Sequence, residues 1–369
     1  MLTVTGLVAV YSASFVIGLA KFGDSNHYIV RQAAWAVLGS VLLLATSHTD
    51  YRKYKLLALP IMFGTIVALV AVLTIGVEGG GARRWLGAGE LGIQPAEFAK
   101  LTVIIYLAAW LSGKGDDLKS FEHGLIPFVV IIGVVGALIM LEPNLGTTLI
   151  ICLITVTMFW VAGASVTQMF ALGAAGSLCM AFLATAAGYR ADRLTAFFHA
   201  DVDPLGRGFQ TLQTLIALGN GGVSGLGLGA SRGKFFYIPE SHTDGVFAII
   251  GEEMGIIATV AVLLLYMILM FRGFQVARRS RDDFGRLVAT GITTWITVQA
   301  LLNMGGITQV IPLTGVPLPL LSYGGSALAS VMAAIGVLIS ISRYGRDRGG
   351  YYDRAENAHV RKVIRRSRR

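Results

Sequence analysis

The chain has 369 residues, 54% of them hydrophobic and only 14% charged, where an ordinary soluble domain carries about 25% charged residues. Such a composition excludes a soluble globular protein and requires the bilayer as solvent, and the absence of alternating ten-residue segments excludes a transmembrane β-barrel. The net charge is +9, much of it from residues 343–369, where ten Lys and Arg stand against three acids. That pattern suits anionic lipid or water and gives no reason to expect nucleic acid.

Met1 opens almost directly into an apolar run with no basic segment before it, so no cleaved signal peptide is expected. Apolar runs long enough to cross about 30 Å of hydrocarbon recur from there on. They predict ten helical spans, at 2–20, 29–47, 56–76, 97–112, 125–141, 145–162, 166–187, 245–271, 287–311 and 322–342. The expected architecture is an all-α integral membrane domain over 1–342, followed by a basic tail, 343–369. The run Tyr51 to Lys55, the arginines 272, 278, 279, 281 and 286, and the tail all fall on one side. By the positive-inside rule that side is cytoplasmic and holds both termini. Segments 77–96, 188–244 (between the seventh and eighth spans) and 312–321 then face outward. Cys152 and Cys179 lie within apolar runs, at no metal-binding or disulfide spacing, and read as packing residues.

The first outward segment holds many glycines with Arg83, Arg84 and Trp85. Trp85 suits an interfacial anchor or a platform for a sugar face. Glu97 and Lys100 follow three apart, after Pro95 at a first-turn position, so they share one helix face as an ion pair or as functional groups. The connection Leu141 to Thr147 reads as a plain turn, and spacing alone assigns Glu142 no role.

In the long second segment, Arg190, Arg193, Arg207, Arg232 and Lys234 break the charge bias and suit an anionic ligand. Glycines 219, 221, 222, 225, 227, 229 and 233 lack dinucleotide-fold spacing, but they could wall a large polar headgroup. Pro239-Glu240-Ser241-His242-Thr243-Asp244 then places Asp244 at a helix N-terminus, either as a cap or as a reactive carboxylate with an acid, a base and cations nearby. Glu252 and Glu253 enter the next span, where at least one should face protein or a water cavity. The prolines 312, 317 and 319 forbid a continuous helix, so 312–321 is expected to be irregular, with Ser322 lining a polar cavity.

Tyr11 to Ser14, the Arg-Trp-Leu run at 84–86, Gln94 to Lys100, Pro143 to Thr147, the glycine stretch into Pro239–Asp244, and Pro317 to Ser326 together resemble the shape, elongation, division and sporulation family of bacterial wall synthases, whose members include FtsW and RodA. The likeness runs in order over nearly the whole chain. Gly245 and Thr314 depart from it, where many members carry Phe and some division members carry Lys. The resemblance implies a glycosyltransferase of the bacterial cytoplasmic membrane that polymerises lipid II on the outer face and releases undecaprenyl diphosphate. It implies a class B penicillin-binding transpeptidase as partner, among other divisome or elongasome membrane proteins. It also implies that Asp244 is the general base and that Trp85, Glu97 and Lys100 are functionally sensitive. Arg83, Arg84, Arg232, Lys234, Glu240, His242 and Ser322 are the further substrate-binding candidates. No cofactor is required by the sequence, although a divalent Mg or Mn ion could offset the leaving diphosphate. The alternative is a transporter that flips a lipid-linked precursor, for which broken helices and intramembrane charges are also suited.

Overall fold

The computed structural model describes residues 1–79, 82–87, 92–185, 197, 208–235 and 237–344. Arg190, Arg193 and Arg207 of the second outward segment, and the tail from 345 on, lie outside the described residues. The helices in chain order are α1 (Leu2–Phe22), α2 (His27–His48), α3 (Arg52–Ile75), α4 (Pro95–Leu111), α5 (Ile126–Leu141), α6 (Leu145–Val161), α7 (Val166–Thr185), α8 (Phe209–Gly221), α9 (Val246–Arg279), α10 (Asp283–Ile307) and α11 (Gly325–Tyr344). A short antiparallel hairpin, β1 (Val77–Gly79) and β2 (Ala82–Trp85), joins α3 to α4 and replaces the irregular loop expected there.

Among the described residues seven helices are long and apolar enough to cross a membrane, and α6 and α7 are shorter apolar helices in two more of the predicted spans. Burial sorts the bundle. In α10 and α11, 78% of the apolar window is buried, whereas in α2 and α9 the figure is 17%. Helix α10 is therefore the central post, with α4, α6 and α9 packed around it. At one end of the bundle Tyr51 donates to Asp282 at 2.5 Å and Ser340 to the Thr49 carbonyl at 2.7 Å. This end carries the arginine-rich connection between α9 and α10. The opposite end gathers the hairpin, the α5–α6 turn, the segment leading into α9, and the proline-rich segment 312–321.

Two departures from the sequence reading shape that second end. Helix α8 lies inside what reads as a glycine-rich loop. Its buried residues Thr211, Thr214, Ala217 and Gly221 form a small-residue stripe, and a Cβ on Gly221 would run into the Gly251 carbonyl of α9. Such a stripe lets two helices approach closely.

Helix α9, predicted as one continuous span, is broken at Gly255, where φ is 71° and ψ −170°. Backbone groups freed by a break cannot be left bare in hydrocarbon. Here the glycine segment takes them up: the amides of Leu226 and Gly227 donate to the carbonyls of Glu252 (3.0 Å) and Glu253 (2.9 Å), and Ile256 donates to Gly222 (3.0 Å). The result is a half-helix, 246–254, mounted on residues 222–227 and set off from the long spanning part of α9.

A Gly255→Ala variant is expected to lose stability by about 2 kcal/mol or more, since this conformation is essentially reserved for glycine and a Cβ would meet the Val223 carbonyl. Thermal unfolding in detergent measures it, and an unchanged midpoint would contradict the mount.

Candidate active site

Asp244 sits two residues before the half-helix, only 8% exposed, and Asn303 of α10 donates to its carbonyl at 2.9 Å. The same Asn303 amide donates to the Val316 carbonyl at 2.8 Å, so one central side chain holds both the Asp244 segment and the proline-rich segment. Gln299, one turn earlier, donates to the Pro317 carbonyl at 2.9 Å and accepts from Trp295 at 2.7 Å and from Lys100 at 2.9 Å. Residues 295, 299 and 303 repeat every fourth position, which places them on one face of α10. Polar groups at that spacing within a predicted span were a legible signal that the sequence reading passed over.

Glu97 and Lys100 form the expected pair at 2.9 Å, both buried, with the ammonium also 5.0 Å from the Trp295 ring centre. A charge in this environment is tolerable only when paired, and here the pair also links α4 to the α10 post. Ser322 is buried too. Its hydroxyl accepts from the Leu318 amide at 2.8 Å and its carbonyl from Gln32 at 3.2 Å, so it locks the turn into α11.

The other end of the half-helix carries a second network. The Glu252 carboxylate accepts from the Ser231 hydroxyl and from the amides of Arg232 (3.2 Å) and Gly233 (3.1 Å). The Glu253 carboxylate accepts from Ser12 of α1 at 2.7 Å and pairs with Lys234 at 3.0 Å. Both carboxylates thus face protein. Lys234, predicted as a cation for an anionic ligand, is fully buried, with its ammonium held by Glu253 and the Gly229 carbonyl. It belongs to the wall. Arg232 has its amide tied to Glu252 while the residue itself is exposed.

Around Asp244, His242 is buried against Tyr28 and Tyr323, with ring centroids at 4.7 and 5.5 Å, and its carbonyl accepts from the Tyr323 amide at 2.8 Å. Burial lowers the His242 pKa, only partly offset by Glu240. Glu240 is exposed and bonded to the Thr243 hydroxyl at 3.1 Å. On the hairpin, Arg83 makes an exposed pair with Glu78 at 3.3 Å, which contributes little, whereas Arg84 donates to the carbonyls of Glu142 (2.9 Å) and Pro143 (2.7 Å) and ties β2 to the α5–α6 turn. Trp85 ends β2, half-buried opposite Val77.

One end of the bundle therefore presents a buried carboxylate at a half-helix N-terminus, an exposed cation on the adjoining segment and aromatic rings beside them. That arrangement suits proton removal next to a polar, anionic ligand. A cavity of about 570 Å³ between α9 and α10, reached by Phe247, Leu263, Leu302 and Ile311, is lined almost wholly by apolar side chains and offers no ionisable group. Among the described residues no three carboxylate, imidazole or thiol groups come together to hold a metal.

A family model described as a cell cycle protein, FtsW/RodA/SpoVE, matches residues 1–347. Stage V sporulation protein E of Bacillus subtilis is 41% identical over 94% of this chain and 95% of its own length. A probable peptidoglycan glycosyltransferase FtsW of Geobacter metallireducens is 35% identical over 92% of each. Among solved structures, a chain from a peptidoglycan synthase complex described as coordinating polymerization and crosslinking superposes with a TM-score of 0.73 at 29% identity, over 92% of this chain and 97% of that one. The crystal structure of Thermus thermophilus rod shape determining protein RodA gives 0.64 at 26%, over 92% and 96%.

Lys234→Met alone leaves the Glu253 carboxylate buried and unpaired, at an expected cost of about 3–5 kcal/mol. The Lys234→Met/Glu253→Gln double variant should recover most of it. Unfolding midpoints of the three proteins measure this, and equal losses in single and double variants would contradict the pairing.

Proposed function

The chain belongs to the FtsW/RodA/SpoVE family of cell cycle proteins, and on that premise we propose that it is a peptidoglycan glycosyltransferase polymerising lipid II into glycan strands at the outer face of the bacterial cytoplasmic membrane. In this reading ten helices cross the bilayer, the arginine-rich end and both termini are cytoplasmic, and the Asp244 end faces outward.

The observation that carries the reading is Asp244 at the mouth of the half-helix, its main chain held by the central Asn303. The Asp244 carboxylate accepts the proton of the acceptor sugar's 4-hydroxyl as that oxygen bonds to the donor's anomeric carbon. The bond from that carbon to undecaprenyl diphosphate breaks, with inversion. One carboxylate suffices, because a diphosphate leaves without a proton, unlike the alcohol released by a glycosidase with its carboxylate pair. Negative charge develops on the leaving group, and exposed Arg232, on the segment bonded to Glu252, is the cation suited to meet it. Arg83, Arg84 and Trp85 on the hairpin, and Glu240 and His242 before the half-helix, would flank the headgroups. Glu97, Lys100, Lys234 and Ser322 would act through the wall they hold. Mg²⁺ or Mn²⁺ enters this proposal as a companion of the diphosphate.

The flippase alternative asks for intramembrane charges available to cargo or coupling ions. Glu97 with Lys100 and Glu253 with Lys234 are instead satisfied by one another. A class B transpeptidase is the proposed partner, in keeping with the polymerization and crosslinking joined in the related complex. Other divisome or elongasome membrane proteins are proposed in addition.

Polymerisation of purified lipid II by the protein with its transpeptidase should fall about 10²- to 10⁴-fold in Asp244→Asn, with the fold retained. Wild-type rates in that variant would overturn the base assignment. Lipid movement in vesicles without any wild-type polymerisation would favour the flippase.

A further inference from the structure

Glu142, in the turn between α5 and α6, has 0% exposure, and neither of its carboxyl oxygens meets a hydrogen-bond donor. The turn around it is fully anchored. Arg84 donates to the carbonyls of residues 142 and 143, and the Asn144 side chain caps α6 through the Thr147 amide at 3.2 Å. The carboxyl is thus held in place while its own hydrogen-bonding capacity goes unused. Burying such a group without a partner is destabilising, a cost a leucine of similar size would not carry.

Two further buried oxygens without a hydrogen bond lie on the elements that pack against this turn: Thr314 Oγ1 and Asn303 Oδ1. Contact between the elements is direct. A Cβ on Gly146 would stand 3.3 Å from the Thr314 carbonyl and against the Val316 side chain, and Val316 is in turn bonded to Asn303, which holds Asp244. A carboxyl, a hydroxyl and an amide oxygen, each without a hydrogen bond, thus stand on neighbouring elements, the last on the residue that holds the Asp244 main chain.

We propose that Glu142, Thr314 and Asn303 form an acceptor-rich subsite beside Asp244 that binds the hydroxyl and acetamido N–H groups of an N-acetylated sugar in the lipid-linked substrate. The inference rests on the glycosyltransferase reading and assigns part of its specificity. An amino sugar presents donors from its hydroxyls and its amide together with one carbonyl acceptor. A carboxyl that shares a proton near neutrality can serve both. Burial raises the Glu142 pKa to about 7, and Arg84 on β2 pulls the other way. Helices α5 and α6 and segment 312–321 contain no charged residue, and among the described residues the charge that acts on Glu142 is that of Arg84.

The experiment compares lipid II polymerisation kinetics and thermal midpoints of the purified protein–transpeptidase complex carrying Glu142→Leu, Glu142→Gln or Thr314→Val. Glu142→Leu is expected to melt at or above the wild-type temperature, to raise KM for lipid II about tenfold and to leave kcat within about threefold, a loss of about 1.4 kcal/mol in binding. Glu142→Gln, which can still donate and accept, should keep KM near wild type, and Thr314→Val should raise it severalfold. A wild-type KM in the leucine variant would overturn the subsite. If that variant melts early, an unchanged KM in Thr314→Val overturns it instead. Neither result touches the function, which stands or falls on polymerisation by the wild type.

The proton on Glu142 adds a second readout. Its pKa in the folded protein lies above the unfolded value of about 4.3, so the folded state binds more protons between there and about 7, and stability falls as pH rises through that window. Wild type should lose more of its thermal midpoint than Glu142→Gln between about pH 5 and pH 8, and parallel curves would show that the carboxyl is not buried as described.

Discussion

In hydrocarbon a helix cannot be interrupted unless something else takes up its backbone hydrogen bonds, and the Asp244 end of this protein depends on how that constraint is met at Gly255. The break would strand the carbonyls of Glu252 and Glu253 and the amide of Ile256. Residues 222–227 accept and donate in their place, which is possible because Gly221 and Gly225 allow that chain to lie directly against α9. From this exchange come the half-helix, a fixed position for Asp244 at its start, and a fixed position for two carboxylates at its end.

Those carboxylates turn a backbone repair into a rigid wall. Glu252 gathers Ser231 and two amides of the segment bearing Arg232, while Glu253 joins Lys234 to Ser12 of α1. On the other side α10 repeats the device with neutral groups, Asn303 and Gln299 reaching across to the Asp244 and proline-rich segments. Buried charge is used throughout to join elements, and each buried cation described here has its carboxylate. Glu142 stands apart as a carboxyl that joins nothing, which is why it reads as a contact for something the chain does not itself supply.

Much of this was legible in the sequence. Hydropathy located the helices, and the residues just before Val246 announced Asp244 at a helix start. The three-residue spacing of Glu97 and Lys100 announced their pair. What escaped detection depends on tertiary contact. A glycine inside an apolar run does not declare a break, since its effect at 255 arises from a segment some thirty residues earlier that is shaped to receive it. Lys234 looked like an outward cation because its partner is 19 positions away, and Ser12 lies 241 positions from the carboxylate it holds. Helix α8 lies in a segment whose many glycines read as loop, and the stripe it buries is of small residues, Thr211, Thr214, Ala217 and Gly221, rather than of its larger apolar ones.

The central claim is that the substrate's reacting hydroxyl meets Asp244 at the mouth of the half-helix. A structure of the protein–transpeptidase complex with lipid II bound tests it most directly. The account expects the acceptor's 4-hydroxyl within about 2.6–3.2 Å of the Asp244 carboxylate, with the lipid tail along the helices and the diphosphate toward Arg232. A sugar headgroup bound with Asp244 out of reach of either ring, or held midway along the bundle, would contradict it.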